Sequence, residues 1–129
     1  MTMIHGIGTD LVRIERLEAV LQRRGDAFAR RILADDEYRA YARSGDPARF
    51  LAKRFAAKEA AAKAFGTGIR DGLVLAHIEV VNDDLGRPGL RFHKRARELV
   101  DQFEIGESHL SISDEAGLAL AFVTLVRKV

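Results

Sequence analysis

The chain has 129 residues, a length that predicts one domain over residues 1–129. Hydrophobic residues make up 47% and charged residues 31%, which is typical of a soluble globular protein and excludes a disordered tail, a collagen-like chain and a membrane protein. The absence of cysteine excludes disulfides, thiolate catalysis and cysteine-ligated zinc. Because the first residues lack a signal-peptide pattern, we expect a cytoplasmic protein.

The charge distribution is more informative than the net charge. A formal net charge of +2 is small for a nucleic-acid-binding protein, so we expect no nucleic-acid partner. The arginines nevertheless cluster in the first quarter of the chain, at Arg13, Arg16, Arg23, Arg24, Arg30 and Arg31. This clustering predicts a local basic face on a nearly neutral protein.

The chain begins with a short strand followed by a helix. The strand is predicted over Ile4–Thr9 and is closed by Asp10. The helix is predicted from about Leu11 to Gly25, because apolar residues recur at helical spacing at Ile14, Leu17 and Leu21.

Aspartates mark the starts of the next three helices. Asp26, Asp35 and Asp46 are each predicted to be an N-cap. The signal is clearest after Asp46, where Pro47 occupies the first helical position and Gly66 ends the run. The predicted helices are Ala27–Leu33, Asp36–Arg43 and the alanine-rich Pro47–Phe65.

The second half of the chain contains strand-like segments and one helix. The predicted strands are Leu73–Val81, Leu90–Phe92, Ser108–Ser113 and Leu118–Val126, with a helix over Lys94–Phe103. Residues 82–89 read as a turn or loop, and residues 114–117 as the turn of a hairpin. Because strands and helices are mixed without a regular βαβ rhythm, we expect an α+β fold in which an antiparallel sheet packs with one long and several shorter helices.

Asp10 is the first candidate functional residue. Its position at a strand–helix junction favours an N-cap or first-turn acid. The alternative is a carboxylate at the end of a buried strand, preceded by glycines that allow something to approach closely.

The long helix carries a second candidate group. Lys58 projects into the apolar arc of the helix and Glu59 lies at its edge, one turn before Lys63. A solvated Glu–Lys pair would explain this spacing. Two points favour a functional role instead. The neighbouring alanines allow a ligand or another backbone to approach the helix closely, and a buried charge needs a partner or a metal.

Two further segments carry polar groups that suit a ligand. Gly66, Thr67 and Gly68 form either a helix C-cap or a phosphate-binding loop flanked by Lys63 and Arg70. The stretch from His109 through Ser113 to Asp114 reads as turn chemistry or as a ligand-facing strand end. The four histidines are scattered, which argues against a histidine-rich metal site, and His77 reads as an ordinary strand residue.

In this order, the motifs closely resemble those of the bacterial holo-[acyl-carrier-protein] synthases, the short-chain 4′-phosphopantetheinyl transferases. The matching stretches are residues 6–10 (Gly-Ile-Gly-Thr-Asp), 50–69 (around Lys58-Glu59-Ala60 and Phe65-Gly-Thr-Gly68) and 109–113 (His-Leu-Ser-Ile-Ser). The resemblance covers nearly the whole chain and implies that family's fold. It also implies transfer of 4′-phosphopantetheine from coenzyme A to a serine of apo-acyl carrier protein, in fatty acid biosynthesis, with release of adenosine 3′,5′-bisphosphate.

The resemblance assigns roles to individual residues. Asp10 and Glu59 would hold Mg2+, which agrees with the preference of this ion for one or two carboxylates plus substrate phosphates. Lys63 would contact a coenzyme A phosphate beside the metal and complete the catalytic group. The remaining nucleotide contacts would come from Arg54, Gly66, Thr67, Gly68, Arg87 and Pro88.

The family pattern leaves two local roles open. Many members have histidine where this chain has Asp114, so Asp114 either accepts a hydrogen bond, approaches the metal through water or has no role. The base for the carrier serine is either Glu59 or a water on the metal. Mg2+ and Mn2+ are not distinguished, nor is the preferred carrier protein.

The resemblance also implies two protein partners. Arg16, with its neighbour Arg13, would dock the acidic carrier protein, and electrostatic complementarity would speed that encounter. The family forms homotrimers with active sites at subunit boundaries, so part of the nucleotide contact would come from the next chain. The rival interpretations are a non-catalytic basic-helix module that binds RNA or an acidic protein, and an enzyme for carrier domains of polyketide or peptide synthases.

Overall fold

The computed structural model describes residues 3–129, which form five α-helices, five strands and one short 3₁₀ turn. The helices are α1 (Ile14–Arg24), α2 (Asp26–Ile32), α3 (Asp35–Ala42), α4 (Pro47–Phe65) and α5 (Lys94–Gln102). The strands are β1 (Ile4–Arg13), β2 (Ile78–Asn82), β3 (Pro88–Phe92), β4 (Ile105–Glu115) and β5 (Leu118–Arg127). None of the helices within residues 3–129 is long and apolar enough to span a membrane.

The main sheet is antiparallel and has the strand order β1-β5-β4. Strands β2 and β3 pair separately as an antiparallel hairpin. Alternate residues of β5 are completely buried on the sheet face that packs against α4, at Ala119, Ala121, Val123 and Leu125. The α+β prediction is therefore confirmed, and α4 lies at the centre of the core.

The bounds of α4 agree with the prediction from sequence. The Asp46 carboxylate accepts a hydrogen bond from the backbone N–H of Arg49 at 3.3 Å, so Asp46 is the expected N-cap. Gly66 ends the helix with a φ of 88°, a left-handed conformation that glycine adopts without steric cost.

The junction after β1 differs from the prediction. The strand continues through Asp10 to Arg13, and Asp10 pairs in register with Ala121 of β5. The N-cap interpretation of Asp10 is therefore wrong. Pairing with β5 extends the strand from the predicted end at Thr9 to Arg13, and the helix begins only at Ile14.

The next two predicted N-caps were also misplaced. Gly25 and Ala34 occupy the cap positions, while Asp26 and Asp35 are the first helical residues. The side chain of Asp26 instead accepts a hydrogen bond from the Tyr41 hydroxyl at 3.0 Å. An acid in the first turn still interacts favourably with the helix dipole, which explains why the sequence signal was close to the true boundary.

The second half of the chain differs mainly in strand lengths. Residues 75–77 of the predicted strand Leu73–Val81 form a 3₁₀ turn, and β2 begins only at Ile78. β3 begins at Pro88, inside the predicted loop. β4 continues to Glu115, since the hairpin turn is confined to Ala116 and Gly117, whose positive φ values of 53° and 80° suit a tight two-residue connection.

Candidate active site

Two glycines bring β1 into backbone contact with α4. A Cβ added to Gly6 would lie 2.1 Å from the carbonyl oxygen of Ala64, and one added to Gly8 would lie 1.9 Å from that of Ala60. The partner that approaches the glycines is therefore the helix backbone. Because strand side chains alternate, Asp10 projects from the same face as Gly8, toward α4.

This contact places Asp10 beside the second half of α4. Lys63 Nζ donates hydrogen bonds to Asp10 Oδ1 at 3.2 Å and to the Thr9 carbonyl oxygen at 2.8 Å. The Asp10 side chain is 17% exposed and that of Lys63 is 54% exposed, so the pair lies at the rim of the core. Asp10 and Lys63, which the sequence separates widely, are thus in direct contact.

Glu59 belongs to the same group. Burial raises the pKa of the Glu59 carboxyl, and the negative charge of Asp10 raises it further. The positive charges of Lys63 and Arg16 partly oppose this rise in the pKa. A buried carboxyl whose pKa is raised further by a second carboxylate lies in a site that favours a cation.

The donor set at this site fits a hard divalent cation. Asp10 and Glu59 supply oxygen ligands of like charge, and Lys63 already places an ammonium against one of them. No cluster of three or more metal-ligating side chains is present within residues 3–129. Two carboxylates suit Mg2+, which keeps waters and completes its coordination with substrate phosphates.

Two of the predicted nucleotide contacts line a separate cleft of about 320 Å³. This cleft lies between α4, β4 and the β2–β3 hairpin, and its lining includes Arg54 and Pro88. Arg54 and Glu59 are five residues apart on α4, so their side chains leave the helix at about 140° to one another. Within residues 3–129, the lining of the cleft includes neither Asp10 nor Glu59.

Arg87 and the glycine loop lie outside this cleft. Arg87 is exposed in the turn between β2 and β3, where its backbone N–H donates to Asp83 Oδ1 at 2.8 Å. In the loop after α4, the Gly66 N–H donates to the Lys63 carbonyl oxygen at 2.9 Å. The Gly68 N–H donates to the Ala62 carbonyl oxygen at 3.2 Å, so the C-cap interpretation of this loop is correct. The N–H groups of both glycines are thus already bonded to carbonyl oxygens of α4.

Asp114 is held by two cations of α4. Arg49 Nη1 lies 2.7 Å from Asp114 Oδ2, and Lys53 Nζ lies 3.7 Å from Asp114 Oδ1. The hydrogen-bond-accepting role left open by the sequence is therefore the one that the structure shows. Asp114 lies on the same face of β4 as Ile112, whereas Ser111 and Ser113 alternate to the other face.

The basic residues near the N-terminus do not all share one helix face. Arg13 is the last residue of β1, while Arg16, Arg23 and Arg24 lie on α1, and all four are exposed. The Arg16 guanidinium lies 5.8 Å from the centre of the Phe55 ring and contributes to the electrostatic field at Glu59. Arg16 therefore belongs to the basic surface and also acts electrostatically on the acidic group, which consists of Asp10 and Glu59 with Lys63 beside them.

The buried Glu37 is a member of this region that the sequence pattern did not predict. Its carboxylate lies 2.6 Å from Lys58 Nζ and 3.1 Å from Arg54 Nη1. Glu37 follows Asp35 and Asp36 in an acidic first turn of α3, a pattern typical of a solvated helix start. The buried Lys58 was the available signal, because a buried cation requires a counter-charge somewhere in the chain.

Comparisons with known proteins identify the family. Residues 6–123 match the family model described as the 4′-phosphopantetheinyl transferase superfamily. The holo-[acyl-carrier-protein] synthase of Nitrosospira multiformis is 57% identical over 123 residues, covering 95% of this chain and 98% of that protein. The chain belongs to this superfamily.

Solved structures of holo-[acyl-carrier-protein] synthases share the fold. The enzyme from Neisseria meningitidis superposes with a TM-score of 0.90 and 42% identity, covering 95% of this chain and 98% of that one. The enzyme from Bacillus anthracis in complex with CoA (3′,5′-ADP) gives a TM-score of 0.81 and 37% identity, covering 98% and 100%. The family resemblance and the prediction of a phosphopantetheinyl transferase enzyme are therefore confirmed.

Proposed function

We propose that this chain transfers 4′-phosphopantetheine from coenzyme A to a serine hydroxyl of apo-acyl carrier protein and releases adenosine 3′,5′-bisphosphate. The observation that carries the proposal is the convergence of Asp10, Glu59 and Lys63 at the contact between β1 and α4. Relatives named holo-[acyl-carrier-protein] synthase, one of them solved in complex with CoA, support the choice of substrates.

Asp10 and Glu59 are the proposed Mg2+ ligands. When bound, this ion would neutralise charge on the coenzyme A pyrophosphate and orient it for attack. Asp10 and Glu59 would fix the position of the positive charge of the ion at the end of the β1–α4 contact. Lys63, already at Asp10 Oδ1, would place its ammonium against a phosphate oxygen as the leaving phosphate gains negative charge.

The transfer forms a bond from the serine oxygen to the phosphorus that carries pantetheine and breaks the bond from that phosphorus to the bridging oxygen. Adenosine 3′,5′-bisphosphate leaves with the bridging oxygen, and the serine proton must be accepted nearby. Glu59 is the candidate acceptor of this proton. In the metal-free protein, burial and the charge of Asp10 raise the pKa of its carboxyl.

The cleft beside Arg54 is the proposed site for part of the nucleotide. Arg54 and Lys53 supply positive charge, and Pro88 and Phe50 supply apolar surface. Arg87 would contribute from the turn above the cleft. Gly66, Thr67 and Gly68, at the C-terminal end of α4, would also help to hold the nucleotide. Arg13 and Arg16 are the proposed contacts to the acidic carrier protein.

We further propose that the enzyme is a homotrimer. The sheet face opposite α4 exposes large apolar side chains: Ile7 (59%), Leu11 (60%), Leu120 (42%) and Phe122 (40%). A contiguous apolar surface of this kind is typical of an interface. A neighbouring chain would also explain how the Arg54 cleft, which points away from Asp10 and Glu59, can serve the same coenzyme A molecule.

The decisive experiment is mass spectrometry of apo-acyl carrier protein incubated with coenzyme A and this protein. We expect a mass increase equal to one phosphopantetheine with Mg2+, and none with EDTA or with Asp10→Ala or Glu59→Ala. Circular dichroism confirms that both variants are folded. Normal modification by both folded variants would overturn the metal-site assignment, and an unmodified carrier with the wild-type protein would overturn the activity.

A further inference from the structure

A single buried carboxylate joins three parts of the fold. Glu37 on α3 is 1% exposed, and each of its oxygens accepts two hydrogen bonds. Oε1 accepts from Lys58 Nζ at 2.6 Å and from the Ala34 N–H at 3.0 Å. Oε2 accepts from Arg54 Nη1 and from the Val80 N–H, both at 3.1 Å. Glu37 therefore ties α3 to α4 and to β2.

Lys58 supplies the counter-charge for this carboxylate. It is completely buried and also donates to the carbonyl oxygens of Leu75, at 3.1 Å, and of Ile78. Its three N–H donors are thus all used inside the protein. With Lys58 bound to Glu37, the charge of Arg54 is only partly compensated, because one carboxylate serves two cations.

Arg54 is held in one orientation by its inner edge. Nη1 donates to both Glu37 Oε2 and the Val80 carbonyl oxygen, the latter at 2.8 Å. The guanidinium carbon lies 4.6 Å from the centre of the Phe50 ring, which fixes the guanidinium plane. Within residues 3–129, no hydrogen bond engages Nε or Nη2, and the side chain, 12% exposed, lines the 320 Å³ cleft.

We infer that Glu37 is a positioning residue: it holds Arg54 by Nη1 so that the remaining guanidinium donors face the cleft, ready to bind the oxygens of a phosphate on the nucleotide. This inference rests on the proposed function, since it takes coenzyme A as the occupant of the cleft. A guanidinium that is already oriented loses little conformational freedom when it binds a phosphate. Glu37 therefore acts on coenzyme A affinity through Arg54, without touching the reacting atoms.

The test is a double-mutant cycle between Glu37→Gln and Arg54→Gln. Calorimetry gives the Kd for coenzyme A without carrier protein, and steady-state assays give KM and kcat. We expect Glu37→Gln to raise both Kd and KM for coenzyme A roughly tenfold, the effect of one charge-assisted hydrogen bond, with kcat changed less than about twofold. In the Arg54→Gln background, Glu37→Gln should add no further loss of affinity.

Asp36→Asn is the matched control. It removes one acid from the adjacent position of the same helix, but Asp36 is exposed and, within residues 3–129, pairs only with Arg39 on the surface. We expect its Kd for coenzyme A to equal that of the wild type. An equal loss of affinity in Asp36→Asn, or additive losses in the Glu37 and Arg54 variants, would overturn the positioning role.

A second variant keeps the test decisive if Glu37→Gln does not fold, because that substitution leaves Lys58 without a counter-charge. Glu37→Gln/Lys58→Met removes both charges of the buried pair, and we expect the same rise in Kd. Wild-type affinity in this folded variant would contradict the inference. If the wild type modifies the carrier but Arg54→Gln binds coenzyme A normally, the inference alone is overturned. If the wild type does not modify the carrier, the proposed function is overturned.

Discussion

Gly8 and Ala60 are in backbone contact, and a Cβ on Gly8 would lie 1.9 Å from the Ala60 carbonyl oxygen. Neither backbone can move aside easily, because β1 is held in register with β5 and Ala60 lies in the middle of α4. The distance between β1 and α4 also sets the distance from Asp10 to Lys63 and Glu59. The glycine is therefore a requirement of both the core and the acidic group.

Gly8→Ala should destabilise the protein by about 3 kcal/mol, since an overpacked core must shift backbone to accept the methyl group. Urea denaturation followed by circular dichroism measures the free energy of unfolding. Gly45→Ala is the control, because no heavy atom in the described part of the chain, apart from the two neighbouring residues, lies within 4 Å of a Cβ at that position. Equal stability of the two variants would contradict the backbone contact.

Glu59→Gln should stabilise the metal-free protein at neutral pH. Burial and Asp10 raise the pKa of Glu59 above its ordinary value, so the folded protein binds this proton more tightly than the unfolded chain does. The stability that the bound proton contributes is fully present below about pH 4.3 and is lost as the pH rises through the folded-state pKa. The variant removes the ionisable group, and its advantage in melting temperature over the wild type should shrink as the pH is lowered toward 4.

Differential scanning fluorimetry from pH 4 to pH 8 in EDTA measures this difference, with the exposed Glu18→Gln as the control. Adding Mg2+ at neutral pH should raise the melting temperature of the wild type more than that of Glu59→Gln, because a ligand stabilises the state that binds it. A stability advantage of Glu59→Gln that grows toward acidic pH would contradict the assigned direction of the pKa.

Arg16→Glu should weaken the encounter with the carrier protein. Arg16 is exposed on α1 beside Phe55, at the edge of the acidic group. Charge reversal opposite an acidic partner should raise the KM for carrier protein by about tenfold or more and reduce its dependence on salt. The Kd for coenzyme A, measured by calorimetry, should stay unchanged.

Arg43→Glu is the matched control for this surface. It makes the same charge reversal at an exposed position at the end of α3 rather than on α1, and should leave the KM for carrier protein near the wild-type value. If both reversals raised this KM equally, net charge rather than a docking surface would explain the effect.

Phe122→Arg should break the proposed trimer. Phe122 lies on the sheet face opposite α4 and is 40% exposed in the single chain, so the substitution costs the fold little. A charge inside an apolar interface should shift the mass measured by analytical ultracentrifugation from three chains toward one, and lower activity at least tenfold. Gln102→Arg, on the exposed end of α5, should keep the wild-type mass. A monomeric and fully active wild type would contradict the trimer.

Signals within a few residues of each other predicted the local structure well. The bounds of α4 follow from Asp46, Pro47 and Gly66, which act on the helix that they border. Asp10 was misjudged as an N-cap because its strand is set by pairing with Ala121, near the other end of the chain. Its role as a candidate ligand came from the family motif, and no local pattern distinguished it from a cap.

Glu37 shows the same limit within the candidate site. Its partners Lys58 and Val80 are 21 and 43 positions away along the chain. Sequence periodicity indicated that Lys58 points inward but could not say which acid neutralises it. Long-range pairing of buried charges depends on topology, so it becomes visible only once α3, α4 and β2 are placed together.

Helix α4 has almost no side that is free for redesign. Arg54 faces the cleft, and Lys58 faces the interior. Glu59 and Lys63 lie beside Asp10, and Ala60 contacts strand β1. A mutant library directed at this helix would therefore lose folding together with specificity. The exposed turn over residues 83–87 borders the same cleft. Because exposed turns generally tolerate insertions and deletions better than helices, selections for coenzyme A analogues with altered adenosine groups are best begun there.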